Sequence, residues 1–206
     1  MFTGIIQEIG TIRKISKKGE VLTMEIGASI QKEKKNGESI SIDGTCFTLI
    51  ETSDKTFTVE AMPETQEITI IKNYERGTRV NLEPSMKVGS SLDGHFVSGH
   101  VDFISKVLKT QDGIITVTIP PDKRKFFALK GSVTINGVSL TISDITQDSL
   151  SVSLIPATLE KTNLSTLNEG ESVNMEIDLI SRYLDSLLQG KEKEASYEFL
   201  KERGFL

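Results

Sequence analysis

The chain has no tryptophan, three tyrosines, one cysteine and two histidines among 206 residues. A single cysteine excludes an intrachain disulfide and fits a reducing compartment. Two histidines and one cysteine, with no Cys-x-x-Cys or His-x-x-x-His spacing, are too few for the usual zinc sites, so no metal centre is expected. The net charge is −5, which leaves no basic footprint for nucleic acid or an anionic membrane. The lack of tryptophan also removes the stacking platforms that single-stranded nucleic acid uses. The opening M-F-T-G-I-I-Q-E-I-G has neither a basic leader nor a long apolar run, so neither a signal peptide nor a spanning helix is read there and a cytoplasmic protein is expected. The composition, 37% hydrophobic and 26% charged, is that of an ordinary globular protein.

What the chain does have is a copy of itself. S-I-D-G-T-C-F-T at residues 41–48 returns 93 positions later as T-I-N-G-V-S-L-T at 134–141. At the same offset M-P-E-T becomes I-P-A-T, pairing Pro63 with Pro156 and Thr65 with Thr158, and V-N-L-E at 80–83 becomes V-N-M-E at 173–176. A duplication of this length gives two similar domains rather than a solenoid. The expected organisation is a first domain over 1–87, a second over 88–178 and a helical tail over 179–206.

Short runs of alternating apolar and polar residues recur in both halves: 10–15, 21–26, 39–42, 57–59 and 80–82, then 101–107, 114–119, 132–135, 150–154 and 173–177. This is the two-residue period of strands with one buried face. About six strands per copy, with turns every ten residues or so, point to an all-β protein with a small closed barrel in each half. The tail differs. Leu179, Ile180, Tyr183, Leu184, Leu187 and Leu188 follow helical spacing, with Gly190 expected to end that helix and a second short one expected from Ser196 to Arg203. Its apolar face has two destinations, the barrels or a second subunit.

The candidates for chemistry are few. His95 and His100 lie in D-G-H-F-V-S-G-H-V-D, where the copies meet. Their five-residue separation puts them on opposite faces of a regular strand, so Gly94 and Gly99 must bend the segment if both are to face one pocket. A histidine there suits acid–base or hydrogen-bonding work, against the plain alternative of a solvated turn residue. Cys46 alone reads as a small buried apolar residue. Its counterpart is Ser139, however, so one position carries a protic, nucleophile-capable side chain in both copies. Thr48 and Thr141 follow two residues on, on the same strand face, with Asp43 and Asn136 as further polar partners and as hairpin-turn residues. Such a lining suits a polyhydroxylated or heteroaromatic ligand.

In order and spacing, M-F-T-G-I-I, I-D-G-T-C-F-T, G-H-F-V-S-G-H-V-D, K-G-S-V-T-I-N-G-V-S-L-T and I-P-A-T-L-E-K-T-N-L resemble the α-type riboflavin synthases across nearly the whole chain. The resemblance implies two tandem six-stranded antiparallel Greek-key barrels, a C-terminal helix and a homotrimer joined through those helices. It implies transfer of a four-carbon unit between two molecules of 6,7-dimethyl-8-ribityllumazine, the last step of riboflavin biosynthesis, with no cofactor or metal. It leaves open a complex with lumazine synthase, and it keeps as the rival function a non-catalytic lumazine- or flavin-binding protein of the same fold. The family's site falls on Phe2, Thr3, Gly4, Cys46, Met62, Thr65, His95 and His100 near the first barrel. In the second it falls on Lys130, Asn136, Ser139, Thr141, Ile155, Thr158 and Asp178. His100, Ser139 and Thr141 are expected to move and position the proton, Cys46 to act as nucleophile or polarising donor, and Lys130 and Asp178 to hold the ribityl chain. The chain departs from the family by exchanging Asp43 and Asn136 between the copies, which puts a charge-based role at 136 in doubt.

Overall fold

The computed structural model describes residues 1–30 and 35–194. In the first unit the strands are β1 (Glu8–Lys18), β2 (Val21–Gly27), β3 (Ser39–Ile42), β4 (Thr45–Thr48), β5 (Glu51–Thr52), β6 (Thr56–Ala61) and β7 (Arg79–Pro84). A short helix α1 (Pro63–Ile68) and a 3-10 turn (Ile70–Asn73) separate the last two. The second unit repeats the plan with β8 (Phe103–Gln111), β9 (Ile114–Thr118), β10 (Ser132–Ile135), β11 (Val138–Ile145), β12 (Ser149–Ser153) and β13 (Ser172–Ile177). Its 3-10 turns are Pro121–Phe126 and Asn163–Thr166, and α2 (Pro156–Lys161) stands where α1 stands in the first unit.

The second unit is a closed barrel in the order β10-β11-β12-β9-β8-β13. The first has the corresponding order β4-β3-β7-β1-β2-β6-β5, open only because β4 and β5 are the two halves of the strand that β11 makes whole. In β11 the irregularity is a slip of register between Ile142 and Asp144. In the first copy the chain breaks at the equivalent place, and Ile50 N–H still donates to Thr58 O at 2.9 Å. Side chains alternate inward, so each barrel closes on its own apolar core. Ile12, Met24, Ile26, Ile40, Phe57 and Val59 fill the first, and Val107, Val117, Val133, Ile135, Val152 and Met175 the second. Ile6, which precedes the first barrel in sequence, is buried in the core of the second.

The barrels meet at their repeated hairpins. Asp43-Gly44 and Asn136-Gly137 form two-residue turns with all four residues at positive φ, 44°, 82°, 45° and 78°, the geometry that Asp-Gly and Asn-Gly favour. The turns abut: a Cβ on Gly44 would lie 2.8 Å from Gly137 N, so only glycine permits the approach. Asn81 Nδ2 then donates to Asn136 O at 2.9 Å and Asn174 Nδ2 to Asp43 O at 2.8 Å, each crossing to the other barrel.

One sequence expectation is overturned. Gly190 does not end the tail helix; α3 runs from Leu179 to Glu194. A glycine inside a helix costs only about 1 kcal/mol relative to alanine, and the K-E-K-E that follows is made of good helix formers. The short helix expected at 196–203 lies outside the described residues. No helix among the described residues is long and apolar enough to cross a membrane.

Candidate active site

The segments leading into the two barrels are held by a matched pair of carboxylates. Glu83 accepts from Thr3 N–H at 2.6 Å, Thr3 Oγ1 at 2.7 Å and Gly4 N–H at 2.9 Å. Glu176 accepts from Ser98 N–H at 2.7 Å, Ser98 Oγ at 2.6 Å and Gly99 N–H at 3.0 Å. Burial pushes both carboxyls above the usual range, and these bonds pull them part of the way back. The two glutamates end the repeated V-N-x-E motif. They alternate with Val80 and Leu82, or Val173 and Met175, so their side chains face away from the barrel core.

Each clamped segment then crosses to the other barrel. Gly4 O accepts the Ser139 N–H of β11 at 2.8 Å, and Gly99 O accepts the Cys46 N–H of β4 at 2.8 Å. Gly4 and Gly99 have φ of 76° and 80°. An added Cβ would lie 2.6 Å from Ser139 Cβ at the first and 2.7 Å from Cys46 Cβ at the second. Phe2 pairs with Val97 and is fully buried, its ring edge against Gly99.

The crossing sorts the sequence-derived residues differently from the expected grouping. Gly4 and His95, expected near the first barrel, lie against Ser139 of the second: Gly4 because its segment crosses to the other barrel, and His95 because it stays with the barrel it precedes, while Thr3 remains on Glu83 of the first. His95 Nδ1 is 2.7 Å from Ser139 Oγ, and its Nε2 is 3.2 Å from Thr134 Oγ1. Burial lowers its pKa below the ordinary histidine value, with the Asp178 carboxylate opposing the shift. His100 is exposed and follows Gly99 over Cys46. The two histidines therefore serve different barrels. By the clamp correspondence, His100 has Ile5 as its counterpart and His95 has none.

At the first mouth, Cys46, Phe47, Thr48, Ile50, Glu60, Met62 and Thr65 line an open depression of about 340 Å³. Ser139, Thr141, Ile155 and Thr158 occupy the equivalent positions of the second barrel; Thr141 and Ile155 are exposed, as Thr48 and Met62 are in the first. Lys130 is exposed with φ of 68°, where its counterpart is Gly37 at 90°. A lysine held where the duplicate uses glycine carries backbone strain. Asp178 accepts from Ile180 N–H at 2.9 Å at the start of α3. Asn136 is not with this group: it is buried in the interbarrel turn and lines a different cavity. Among the described residues no three or more His, Cys, Asp or Glu side chains gather as a metal site.

The sequence reading missed Glu83 and Glu176. Their signal was present in the repeated V-N-x-E, where a glutamate keeps its place in both copies on a strand whose neighbours are apolar.

Residues 3–85 and 98–178 each match the lumazine binding domain model. Riboflavin synthase of Bacillus subtilis (strain 168) is 37% identical over the whole of both chains, and that of Actinobacillus pleuropneumoniae 34% identical over the whole of both. The chain belongs to the riboflavin synthase family. It is a transferase of riboflavin biosynthesis built on a duplicated lumazine-binding barrel. Its structure is also similar to that of LumP complexed with 6,7-dimethyl-8-(1′-D-ribityl)lumazine, with a TM-score of 0.76 and 27% identity, covering 85% of this chain and 98% of that one. LumP complexed with riboflavin gives a TM-score of 0.77 at 28% identity, covering 86% and 99%.

Proposed function

We propose that the enzyme dismutates two molecules of 6,7-dimethyl-8-ribityllumazine, passing a four-carbon unit from one to the other to give riboflavin and 5-amino-6-(D-ribitylamino)uracil. The observation that carries this reading is the pair of mouths: alike in backbone, they differ in chemistry, with Cys46 beneath the Gly99-His100 segment in one and Ser139 against His95 in the other. A reaction between two identical molecules needs two similar pockets that treat them unequally. The lumazine and riboflavin complexes of LumP support a pteridine ligand. The full-length match to riboflavin synthases favours turnover over storage.

The mouths of one chain belong to separate barrels, so the two substrates meet when the first mouth of one subunit faces the second mouth of another. The homotrimer expected from the family supplies that arrangement. The exposed stripe of α3, Ile180, Tyr183, Leu184, Leu187 and Leu188, supports it as the joining surface. In this assembly His100 of one subunit stands opposite Ser139 and Thr141 of the next. Holding two rings in register is worth up to about 7–11 kcal/mol in the best intramolecular cases.

Proton transfer is placed at the second mouth. With Nε2–H donating to Thr134 Oγ1, the neutral His95 presents Nδ1 as an acceptor for the Ser139 hydroxyl. As the Ser139 hydroxyl passes its proton to Nδ1, its oxygen takes one from the acidic 7-methyl group of the bound lumazine, leaving His95 protonated and the negative charge in the pteridine ring, with Thr141 beside it. His100 and Cys46 face the partner ring from the first mouth. Met62 and Thr65 on one side, and Ile155 and Thr158 on the other, form the ring contacts, while Phe2, fully buried against Gly99, supports the first mouth from behind. Lys130 and Asp178 are assigned to the ribityl chain.

Supplying the lumazine anaerobically and following flavin absorbance tests the reaction. Two lumazines consumed per flavin formed is the expected result. Tight binding without flavin would instead make the chain a binding protein of this fold.

A further inference from the structure

Between the barrels, on the side of the abutting hairpins, is an open cavity of about 570 Å³. It shares no lining residue with the depression at Cys46. Its wall is built from duplicated positions, and the duplicates differ in a consistent way. Asp43 is fully satisfied: it accepts from Asn81 N–H at 2.7 Å, Asn163 Nδ2 at 2.9 Å and the Tyr74 hydroxyl at 2.6 Å. On the other half Leu167 stands at the position of Tyr74 and Ile70 at that of Asn163. Asn136 therefore lacks both side-chain partners.

Its Oδ1 takes the Asn174 N–H at 2.8 Å, which directs Nδ2 away from the turn. Nδ2 makes no hydrogen bond among the described residues, although Asn136 is 2% exposed. The unused donor opens onto the cavity that Asn136 lines. Arg79 lines the same cavity, and its guanidinium has no ion pair among the described residues. Lys106 adds a second cation, with its Nζ on Gly170 O at 3.1 Å. Of the acids present, Glu171 accepts from Asn168 N–H at 2.9 Å, and Asp43 is committed to its three donors. Ile70 and Leu167 supply apolar wall.

We propose that this cavity is a second ligand site, for a small carboxylate carried on an apolar or aromatic body. The carboxylate is received by Asn136 Nδ2 and Arg79, and the body rests on Ile70 and Leu167. Planar guanidinium and amide donors match a carboxylate's two oxygens. The apolar positions match a body that Tyr74 and Asn163 would have excluded had both halves kept them. The site is independent of the lumazine mouths.

The test is a titration of the full-length protein with 2-naphthoate, read by equilibrium dialysis and by the side-chain amide resonance of Asn136. Saturable binding that moves that resonance, and that excess lumazine leaves unchanged, is expected. Asn136→Asp removes the donor and adds a like charge, and Arg79→Gln removes the cation. Each should weaken binding at least about tenfold. The aspartate variant keeps the turn geometry, which Asp43 already adopts at φ of 44° against 45°, and Arg79→Gln, at an exposed position, leaves the buried turn untouched. Unsaturable uptake, displacement by lumazine, or equal affinity in the parent and both variants would overturn the proposal.

Discussion

His95 Nδ1 lies 2.7 Å from Ser139 Oγ, a bond that Cys46, the duplicate of Ser139, does not have. Removing the hydroxyl separates a chemical role from a packing one. Ser139→Ala is expected to lower kcat by about 10²-fold, within the range for general acid–base groups, with little change in lumazine affinity. Cys46→Ser should be milder, since it converts one mouth's side chain into the other's. Single-turnover flavin formation checks both, and an unchanged kcat in Ser139→Ala removes the relay.

The clamps predict a different phenotype. Glu83 accepts three short bonds from Thr3 and Gly4. Glu83→Gln turns one acceptor oxygen into a donor facing N–H groups, at a cost of about 2–3 kcal/mol. Because Gly4 O also receives Ser139 N–H, the damage should appear in the other barrel. Hydrogen exchange at the Ser139 amide should accelerate more than exchange in β1–β7.

Gly99 and Gly19 make a paired experiment. Both have positive φ, 80° and 61°, but a Cβ meets Cys46 and Phe2 at the first and nothing within 4 Å at the second. Gly19→Ala should cost only the left-handed backbone penalty, about 1–2 kcal/mol. Gly99→Ala should cost more and should also abolish turnover by displacing His100. Comparable losses of Tm and activity in both variants would argue against a crossing segment that needs the close approach.

Asp43 contributes to the pH dependence of stability, in the same direction as the carboxyls of Glu83, Asp102 and Glu176, which burial also raises. Burial raises its carboxyl from 3.8 to about 7. A carboxyl that holds its proton more tightly when folded favours folding at low pH, and that contribution is lost as pH rises from about 4 to about 7. Asp43→Asn copies the residue at 136 and removes the titration, so it should raise stability above pH 7 by a few kcal/mol and flatten the profile. His95 acts oppositely. Its lowered pKa makes stability fall as pH drops below about 6.5. Denaturant midpoints between pH 5 and 9 check both signs.

The helix face predicts assembly. Leu184→Asp with Leu187→Asp, or truncation before Leu179, should give monomers that still bind lumazine and show little turnover, measured by sedimentation and flavin yield. Full activity from such a monomer would remove the shared site.

Much of the architecture was legible because duplication and two-residue periodicity are local signals. The repeat at offset 93 aligned Cys46 with Ser139 and Thr65 with Thr158 before any coordinate was known. The D-G and N-G pairs marked the hairpins that the φ angles confirm. The end of α3 was misread at Gly190 because one glycine is a weak stop when good helix formers follow. The grouping of His95 with the first barrel was misread for a deeper reason. The family resemblance placed it with Phe2 and Cys46, whereas the chain turns between His95 and Gly99, so that His95 meets Ser139 of the second barrel and Gly99 meets Cys46 of the first.

The amino-acid sequence by itself determined the number of barrels, their Greek-key plan through the family resemblance, and the side chains that differ between the copies. Those depend on periodicity, spacing and turn chemistry, all of which are written along the chain. Only the tertiary structure decided which mouth each histidine serves, that Glu83 and Glu176 clamp the crossing segments, and that Asn136 faces a cavity between the barrels. These follow from contacts between residues up to 131 positions apart, as between Asp43 and Asn174. No local pattern specifies such contacts, because they form only when the two barrels pack against one another.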